Sequence, residues 1–350
     1  MRDLSGVHHD AEGRRRADHH GPRAGHHRGH RGLTASTVSR DPAALVARAV
    51  IGDRAAIAKL ISVVERGGPS AFEAAAALHP HTGRAYTVGL TGAPGAGKSS
   101  LTDALITRIR RGGTEVGVLA VDPTSPFSGG AILGDRVRMQ DHATDEGVYI
   151  RSMATRGHLG GLALATPQAI RVLDAAGKPW VIVETVGVGQ VEVEIAGAAD
   201  TTVVVVNPGW GDGVQANKAG LMEIADLFVV NKADRDGVAE TVRDLELMLD
   251  LSGHPAWRPP VLTTVATRGE GIDELWAAVG EHRAFQEGDG SLARRRRERT
   301  REELHAIVLA RLEAQADAAC RGDRFEAAVA QVAARELDPY TAAEELLGAR

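Results

Sequence analysis

Residues 92–99 read GAPGAGKS and match the phosphate-binding spacing G-x-x-x-x-G-K-S. They follow the apolar run YTVGL (residues 86–90) and precede a helical pattern, which is the context that gives this motif its meaning. Glycines let the loop curl so that backbone N–H groups point at phosphate oxygens, and the helix start adds partial positive charge. Lys98 is expected to neutralise the β- and γ-phosphates, and the Ser99 hydroxyl to bind Mg²⁺. The predicted phosphate contacts are Gly92, Ala93, Pro94, Gly95, Ala96, Gly97, Lys98, Ser99 and Ser100.

A second motif, N-K-x-D, follows another apolar run and consists of Asn231, Lys232 and Asp234. A buried aspartate can accept hydrogen bonds from N1–H and the 2-amino group of guanine, a pair that adenine lacks. Lys232 can cover the base with its methylene stem, and Asn231 can bond N7. The pair Val265-Ala266 follows the last apolar run and is expected to offer a backbone N–H to guanine O6. The residues therefore predict GTP as the nucleotide.

Three carboxylates are candidates for the metal site. Asp122 ends the run VGVLAVD, Asp135 lies in the loop after it, and Glu184 ends the run WVIVE. Because Mg²⁺ keeps several waters and takes few carboxylates directly, some of the three must act through water. Any one of them can instead cap a helix. The metal set predicted from the sequence is Ser99, Asp122, Asp135 and Glu184.

The elements that must hold these residues are strands and helices in alternation. The apolar runs are residues 86–90, 116–121, 180–184, 201–206, 227–231 and 261–265, and residues 148–153 can add another strand. These runs are apolar throughout, as expected of strands covered on both faces. Alternation with helical patterns predicts an α/β fold with a mostly parallel sheet and helices on both sides. This GTPase domain is expected to span residues 83–283.

Two further segments precede that domain. Residues 1–38 are polar, rich in glycine and histidine, and too poor in large apolar side chains to fold. The tract is either a metal-binding tail or a disordered leader, and its composition favours the leader. Residues 39–82 form a predicted helical extension, in which Asp41 and Pro42 begin a helix. Its second helix carries one apolar face. That face comprises Ile57, Leu60, Ile61 and Val64.

A helical appendage is predicted for residues 284–350. A long helix begins near the basic run Arg294–Arg297, and its apolar residues on one face are Leu304, Ile307, Val308 and Leu312. Two shorter helices follow it, over residues 324–336 and up to Leu347. The basic run can bind nucleic acid or form a solvated helix face, and the interleaved glutamates favour the solvated face.

Composition limits the class of protein. A net charge of −5 argues against nucleic-acid binding through the overall field. The single cysteine, Cys320, rules out an internal disulfide framework and suits a reducing compartment. No apolar run approaches the roughly 18 residues that a bilayer requires, so no membrane partner is expected. The predicted location is cytoplasmic.

Long stretches of the sequence resemble the MeaB/MMAA family of G-protein chaperones. They include VDPTSPFSGGAILGDRVRM, RSMATRGHLGGLA, ETVGVGQVEVE and NPGWGDGVQANKAGLMEIADLFVVNKADR. The resemblance covers roughly residues 40–350. It implies a P-loop NTPase of the SIMIBI branch, with an N-terminal helical extension and a C-terminal arm that makes a homodimer. It also implies that GTP binding and hydrolysis gate loading, protection and reactivation of an adenosylcobalamin-dependent methylmalonyl-CoA mutase. The adenosylcobalamin belongs to the partner mutase.

The resemblance also assigns residues to switches. It places Asp122 and Asp135 in a first switch, and Glu184, Gly187 and Gln190 in a second. A third switch then contains Asp212, Gln215 and Lys218, which couple to the mutase. Val188 follows Gly187 where common G proteins carry a glutamine, so hydrolysis is expected to be slow without a partner. Asp122, Asp135 or Gln190 is then expected to complete the catalytic set that includes Lys98 and Glu184.

Two other functions fit parts of the sequence. A metal-insertion GTPase of the nickel-chaperone type would use the histidine tract as a store. It would also need a cysteine or histidine site in the GTPase domain, and no C-x-x-C is present there. An amino-acid-transport-linked kinase would pass phosphate to an acceptor, and it would need an acceptor pocket with its own base. Nothing in the sequence marks such a pocket.

Overall fold

The computed structural model describes residues 41–123, 140–142, 144–155, 161–185, 197–209, 220, 222–251 and 256–348. In these residues seven strands form one sheet, in the order β3-β2-β4-β1-β5-β6-β7. Every neighbouring pair runs parallel. The strands are β1 (Tyr86–Gly92), β2 (Val116–Pro123), β3 (Val148–Thr155), β4 (Trp180–Thr185), β5 (Thr201–Val206), β6 (Leu227–Asn231) and β7 (Val261–Thr264). The α/β fold with a parallel sheet is confirmed, and each predicted run forms a strand, although the last run extends one residue beyond β7.

Helices cover both faces of the sheet because its strands bury side chains alternately on the two sides. Val203 and Val205 pack with α4 (Lys98–Arg111) and α7 (Ile272–Asp289) on one face. Val204 and Val206 pack with α6 (Val238–Leu251) on the other. Helix α5 (Gly161–Ala175) shares that second face, where it packs with β2 and β4. The fold is therefore a three-layer sandwich.

The strand order fixes where a ligand can bind. Strand β1 lies between β4 and β5, and the chain fills one side of it before it crosses to the other. In parallel sheets such a reversal opens a crevice at the carboxyl ends of the strands. The loop of residues 92–99 leaves β1 at this crevice.

Three helices precede the sheet: α1 (Pro42–Val50), α2 (Arg54–Arg66) and α3 (Pro69–Leu78). The Asp41 side chain accepts a hydrogen bond from the N–H of Ala43 and caps α1, as predicted. Asp53 caps α2 in the same way. The predicted apolar face of α2 is buried against α5 and strands β2–β4. These helices thus cover the sheet beside β2 and β4.

Three more helices follow α7: α8 (Ser291–Ala319), α9 (Asp323–Ala333) and α10 (Pro339–Leu347). Helix α7 continues to Asp289, so the boundary predicted between residues 283 and 284 falls inside a helix. The apolar residues predicted to share one face of α8 include Leu304 and Leu312, whose surfaces are 62% and 55% exposed. Across the described part of the chain, no helix combines the length and the apolar character that a membrane crossing needs.

The basic run at the start of α8 is not wholly the solvated face that was predicted. Arg296 donates to Asp200 at 2.6 Å, Arg299 also binds Asp200, and Arg295 binds Asp226 at 2.9 Å. Both aspartates are buried and lie just before β5 and β6. Burial alone would raise the pKa of Asp200, but the hydrogen bonds and charges of the two arginines outweigh it and lower that pKa. The run therefore anchors α8 to the amino ends of the sheet.

Candidate nucleotide-binding site

The loop between β1 and α4 needs glycine at two positions because of close backbone contacts. Gly92 has a φ of 127°, and a Cβ there would lie 2.0 Å from the carbonyl oxygen of Val205 on β5. Gly97 has a φ of 93°, and its Cβ would lie 2.4 Å from the side-chain amide nitrogen of Asn231. Both conformations are rare for residues with a side chain. The glycines thus let the loop fold tightly against β5 and against the loop after β6.

Lys98 is the first residue of α4 and lies almost fully buried under the loop. Its Nζ donates hydrogen bonds to the carbonyl oxygens of Gly92 and Ala93, at 2.7 and 3.0 Å. Helix α4 has 14 residues, so its N-terminus contributes partial positive charge at the same place. The ammonium group and the helix end together make this loop suited to an anion.

A buried carboxylate lies directly behind the loop. Glu184 is on β4, beside Leu90 of β1, and is 3% exposed. The Ser99 hydroxyl donates to its Oε1 at 2.6 Å, and the Thr102 hydroxyl donates to its Oε2 at 2.8 Å. The structure thus brings together two predicted metal residues, Ser99 and Glu184. Thr102 is a third polar member that the motifs did not single out.

These groups fit a magnesium ion. The Ser99 hydroxyl donates its proton to Glu184, so its oxygen can act toward a further group only as an acceptor, which is also the role of a metal ligand. A hydroxyl and a carboxylate are hard oxygen ligands of the kind that Mg²⁺ prefers. Asp122 is the next-to-last residue of β2, and the backbone pairing places it opposite Ala154 at the same carboxyl edge of the sheet. The donor set and its position therefore suit the predicted ion.

Asn231 connects the phosphate loop to the loop after β7. Its Nδ2 donates to the carbonyl oxygen of Ala96 at 2.9 Å. Its Oδ1 accepts from the Thr264 hydroxyl at 3.1 Å and from the N–H of Ala266 at 3.2 Å. With 2% exposure the side chain is a buried bridge between protein groups, whereas the sequence suggested a contact with guanine N7.

The pair Val265-Ala266 lies beside Asn231 as expected, but both of its N–H groups have protein acceptors. Val265 donates to the carbonyl oxygen of Glu270 at 3.0 Å, and Ala266 donates to Asn231. These bonds shape the turn after β7. A contact between either N–H and guanine O6 stays a prediction.

Lys232 and Asp234 lie at the open side of the same loop. Lys232 has a φ of 60°, and its Nζ donates to the carbonyl oxygen of Gly95 at 2.5 Å. The side chain of Asp234 is 35% exposed and lies 3.4 Å from Arg268. Asp234 is thus more accessible than the buried acceptor that the motif suggested. A base bound over Lys232 would itself cover this carboxylate.

Several predicted residues lie outside the described part of the chain. The side chain of Asp122 belongs to this group although its backbone is part of β2. The others carry the three predicted switches and include the candidates for water positioning. They are Asp135, Gly187, Gln190, Asp212, Gln215 and Lys218.

Comparison with protein families gives a match over most of this region. A family model described as "Methylmalonyl Co-A mutase-associated GTPase MeaB" matches residues 57–321. The match spans the α2 helix, the whole sheet, the phosphate loop, the N-K-x-D motif and α8. It therefore includes every described residue of the candidate site.

Individual proteins agree with this match. A Pyrococcus abyssi protein that is named as a GTPase is 53% identical over 307 residues, which are 87% of this chain and 95% of that protein. A Mus musculus protein, "Methylmalonic aciduria type A homolog, mitochondrial", is 39% identical over 60% of this chain and 52% of its own length. The crystal structure of an "LAO/AO transport system kinase" aligns with a TM-score of 0.65 and 30% identity. That alignment covers 89% of this chain and 98% of the other.

Proposed function

This chain belongs to the MeaB family of GTPases, and we propose that it gates adenosylcobalamin traffic on an acyl-CoA mutase. Methylmalonyl-CoA mutase is the favoured partner, because the matching family is described as associated with it. GTP binding and hydrolysis would control loading of the cofactor, its protection and the reactivation of the mutase. The GTPase would determine when the cofactor is loaded, and the mutase would carry out the chemistry of the cofactor.

The observation that carries the nucleotide-dependent part of this proposal is the contact between the phosphate loop and the loop of the N-K-x-D motif. Asn231 bonds to Ala96 at 2.9 Å, and Lys232 bonds to Gly95 at 2.5 Å. One nucleotide can therefore contact Lys98 through its phosphates and Asp234 through its base. A carboxylate at that place can accept from the two adjacent donors of guanine, a pair of donors that adenine does not offer.

Ser99 and Glu184 are the proposed magnesium residues, together with Asp122 and Asp135. Bound Mg²⁺ would neutralise charge that develops on the phosphates during hydrolysis. Ser99 would bind the ion through its hydroxyl oxygen, and the same hydroxyl donates to Glu184 Oε1, with 2.6 Å between the two oxygens. Val188 carries no group that can orient water, so hydrolysis by the isolated protein is expected to be slow. Asp122, Asp135 or Gln190 would then orient the water when a partner closes the switches.

Coupling to the partner is proposed for the segment after β5. The segment between β5 and β6 contains Asp212, Gln215 and Lys218. Strand β5 lies beside β1, the strand that leads into the phosphate loop. A change at the phosphates can therefore reach this segment through one strand. The proposal assigns these residues to nucleotide-dependent contact with the mutase.

The C-terminal helices are proposed to join two copies of the chain. Leu304, Val308 and Leu312 of α8 expose about half of their surface or more. Tyr340 and Leu347 of α10 are also exposed, at 86% and 65%. Apolar side chains gathered on neighbouring helices mark an interaction surface more often than isolated ones do. A homodimer would cover this surface.

A binding experiment with purified proteins tests the proposal. The GTPase, loaded with GDP or with a non-hydrolysable GTP analogue, is mixed with adenosylcobalamin-dependent methylmalonyl-CoA mutase and analysed by size exclusion. The expected result is a complex whose stability depends on the nucleotide. A matched run with the Asp234→Asn variant should lose that dependence. Absence of a complex in every nucleotide state would contradict the proposal.

A further inference from the structure

Glu184 has a hydroxyl donor on each of its two carboxylate oxygens. Ser99 donates to Oε1 at 2.6 Å, and Thr102 donates to Oε2 at 2.8 Å. Both donors are on α4, three residues apart, and therefore lie on the same side of the helix. Helix α4 thus holds the end of β4 through two separate bonds.

The Thr102 proton has two acceptors within reach. The carbonyl oxygen of Lys98 lies at 3.0 Å, one helical turn back, and the Glu184 oxygen lies at 2.8 Å. Thr102 is fully buried, so its hydroxyl cannot exchange either partner for water. A carboxylate is the stronger acceptor, since a charge-assisted hydrogen bond is roughly twice as strong as a neutral one. The proton is therefore directed to Glu184.

We propose that Thr102 is a positioning residue that holds Glu184 in place for the magnesium ion. Glutamate has one more rotatable bond than aspartate, so its carboxylate needs more contacts to keep one orientation. The Thr102 hydroxyl binds Oε2 while the Ser99 hydroxyl binds Oε1, and the two bonds together define the plane of the carboxylate. This inference rests on the proposed metal role of Ser99 and Glu184.

A purely structural role makes a different prediction. Thr107 lies on the same helix, and its hydroxyl donates to the carbonyl oxygen of Asp103 at 3.1 Å, also one turn back. Thr107 thus bonds to a backbone carbonyl of the kind that also lies within reach of Thr102, and among the described contacts it does not bond to Glu184. Replacement of each threonine by valine keeps its shape and removes its hydroxyl. The pair of variants separates the helical bond from the carboxylate bond.

The experiment measures release of fluorescently labelled GDP as a function of magnesium concentration. In Thr102→Val and Thr102→Ala, the magnesium concentration at half effect is expected to rise about tenfold, which corresponds to about 1.4 kcal/mol. The release rate in chelator should stay within about twofold of the native rate, because the lost bond acts through the ion. Thr107→Val and Thr102→Ser should both keep the native midpoint.

The outcomes separate two failures. If magnesium does not slow GDP release from the native protein, the proposed metal site is wrong. If magnesium slows it and the Thr102→Val and Thr102→Ala variants keep the native midpoint, the role of Thr102 is wrong. A loss of GDP affinity that is equal with and without magnesium would also overturn that role, since it marks general damage to the loop. Should Thr102→Val fail to fold, Thr102→Ala and Thr102→Ser provide the same comparison.

Discussion

The side-chain amide of Asn231 donates a hydrogen bond of 2.9 Å to the carbonyl oxygen of Ala96. This bond joins the end of β6 to the phosphate loop after β1, two strands away in the sheet. The same side chain accepts hydrogen bonds from Thr264, at the end of β7, and from Ala266, just after it. Three loops of the site therefore depend on one buried residue.

Replacement of Asn231 by alanine is predicted to weaken binding of both GTP and GDP. The change leaves buried donors and an acceptor without partners, and each such group costs about 1–3 kcal/mol. Affinity for either nucleotide should fall at least about tenfold, because the loops are no longer held together. Calorimetric titration measures this. Unchanged affinity for both nucleotides would show that the bridge has no part in binding.

Replacement of Asp234 by asparagine should change the preferred base. The amide can donate to the 2-oxo group of xanthine, but it cannot accept from both donors of guanine. GTP affinity is expected to fall about 100-fold while affinity for xanthosine triphosphate rises. Asp236→Asn is the matched control, because Asp236 is exposed two residues further along the chain. Equal loss for both nucleotides would argue against base recognition by Asp234.

Much of this site follows from the sequence alone, because its backbone requirements are local. The glycines of the phosphate loop and the apolar runs of the strands reflect short-range rules of turn and sheet geometry. Parallel strands that end in motifs bring those motifs to one edge, as the contact of Asn231 with Ala96 bears out. Local spacing therefore predicts both the fold and the main ligand loops.

Contacts between distant elements were harder to predict. Thr102 acts on Glu184, 82 residues away, and only the packing of α4 on β4 brings them together. Its spacing of three from Ser99 was the available signal. Likewise, Arg295 and Arg296 looked solvated because their partners, Asp226 and Asp200, are distant in the sequence. The available signal was an aspartate directly before β5 and another directly before β6.

Acidic substitutions test the proposed dimer surface on α8. The double variant Leu304→Glu and Val308→Glu should yield a monomer by light scattering, because burial of unpaired carboxylates opposes association. GTP affinity should not change, since α8 is anchored at the amino ends of the strands and the nucleotide loops lie at their carboxyl ends. The matched control is Leu247→Glu with Leu251→Glu, an exposed pair at the same spacing on α6. A mass unchanged by the α8 variant would contradict a dimer through this surface.

A buried histidine, His282 of α7, predicts that the protein loses stability as the pH is lowered. His282 lies between Thr201, at 2.9 Å, and Asp226, at 3.3 Å. Burial lowers the pKa of His282 below its ordinary value of 6.5, although Asp226 opposes the shift. Below about pH 6.5 this histidine therefore binds more protons in the unfolded chain than in the folded one. The free energy of unfolding then decreases as the pH is lowered.

Calorimetric melting from pH 7.5 to 5 measures this effect. The native melting temperature should fall as the pH is lowered past about 6.5, and His282→Gln should melt with a shallower dependence on pH there. His305→Gln, which changes an exposed histidine of α8, should keep the native slope. The pKa of Asp200 is also lowered. Protonation of Asp200 therefore reduces the free energy of unfolding further, but only below pH 3.8, the ordinary pKa of aspartate. Equal slopes for the native protein and His282→Gln would contradict the assignment.

Turnover of GTP with and without the mutase tests the central claim most directly. Phosphate release is measured from GTP labelled at the γ-position, with purified methylmalonyl-CoA mutase absent or in excess. The account predicts slow release by the GTPase alone, a rise of at least about tenfold with the mutase, and all label recovered as inorganic phosphate. Equal rates in both conditions, or label transferred to another molecule, would contradict it.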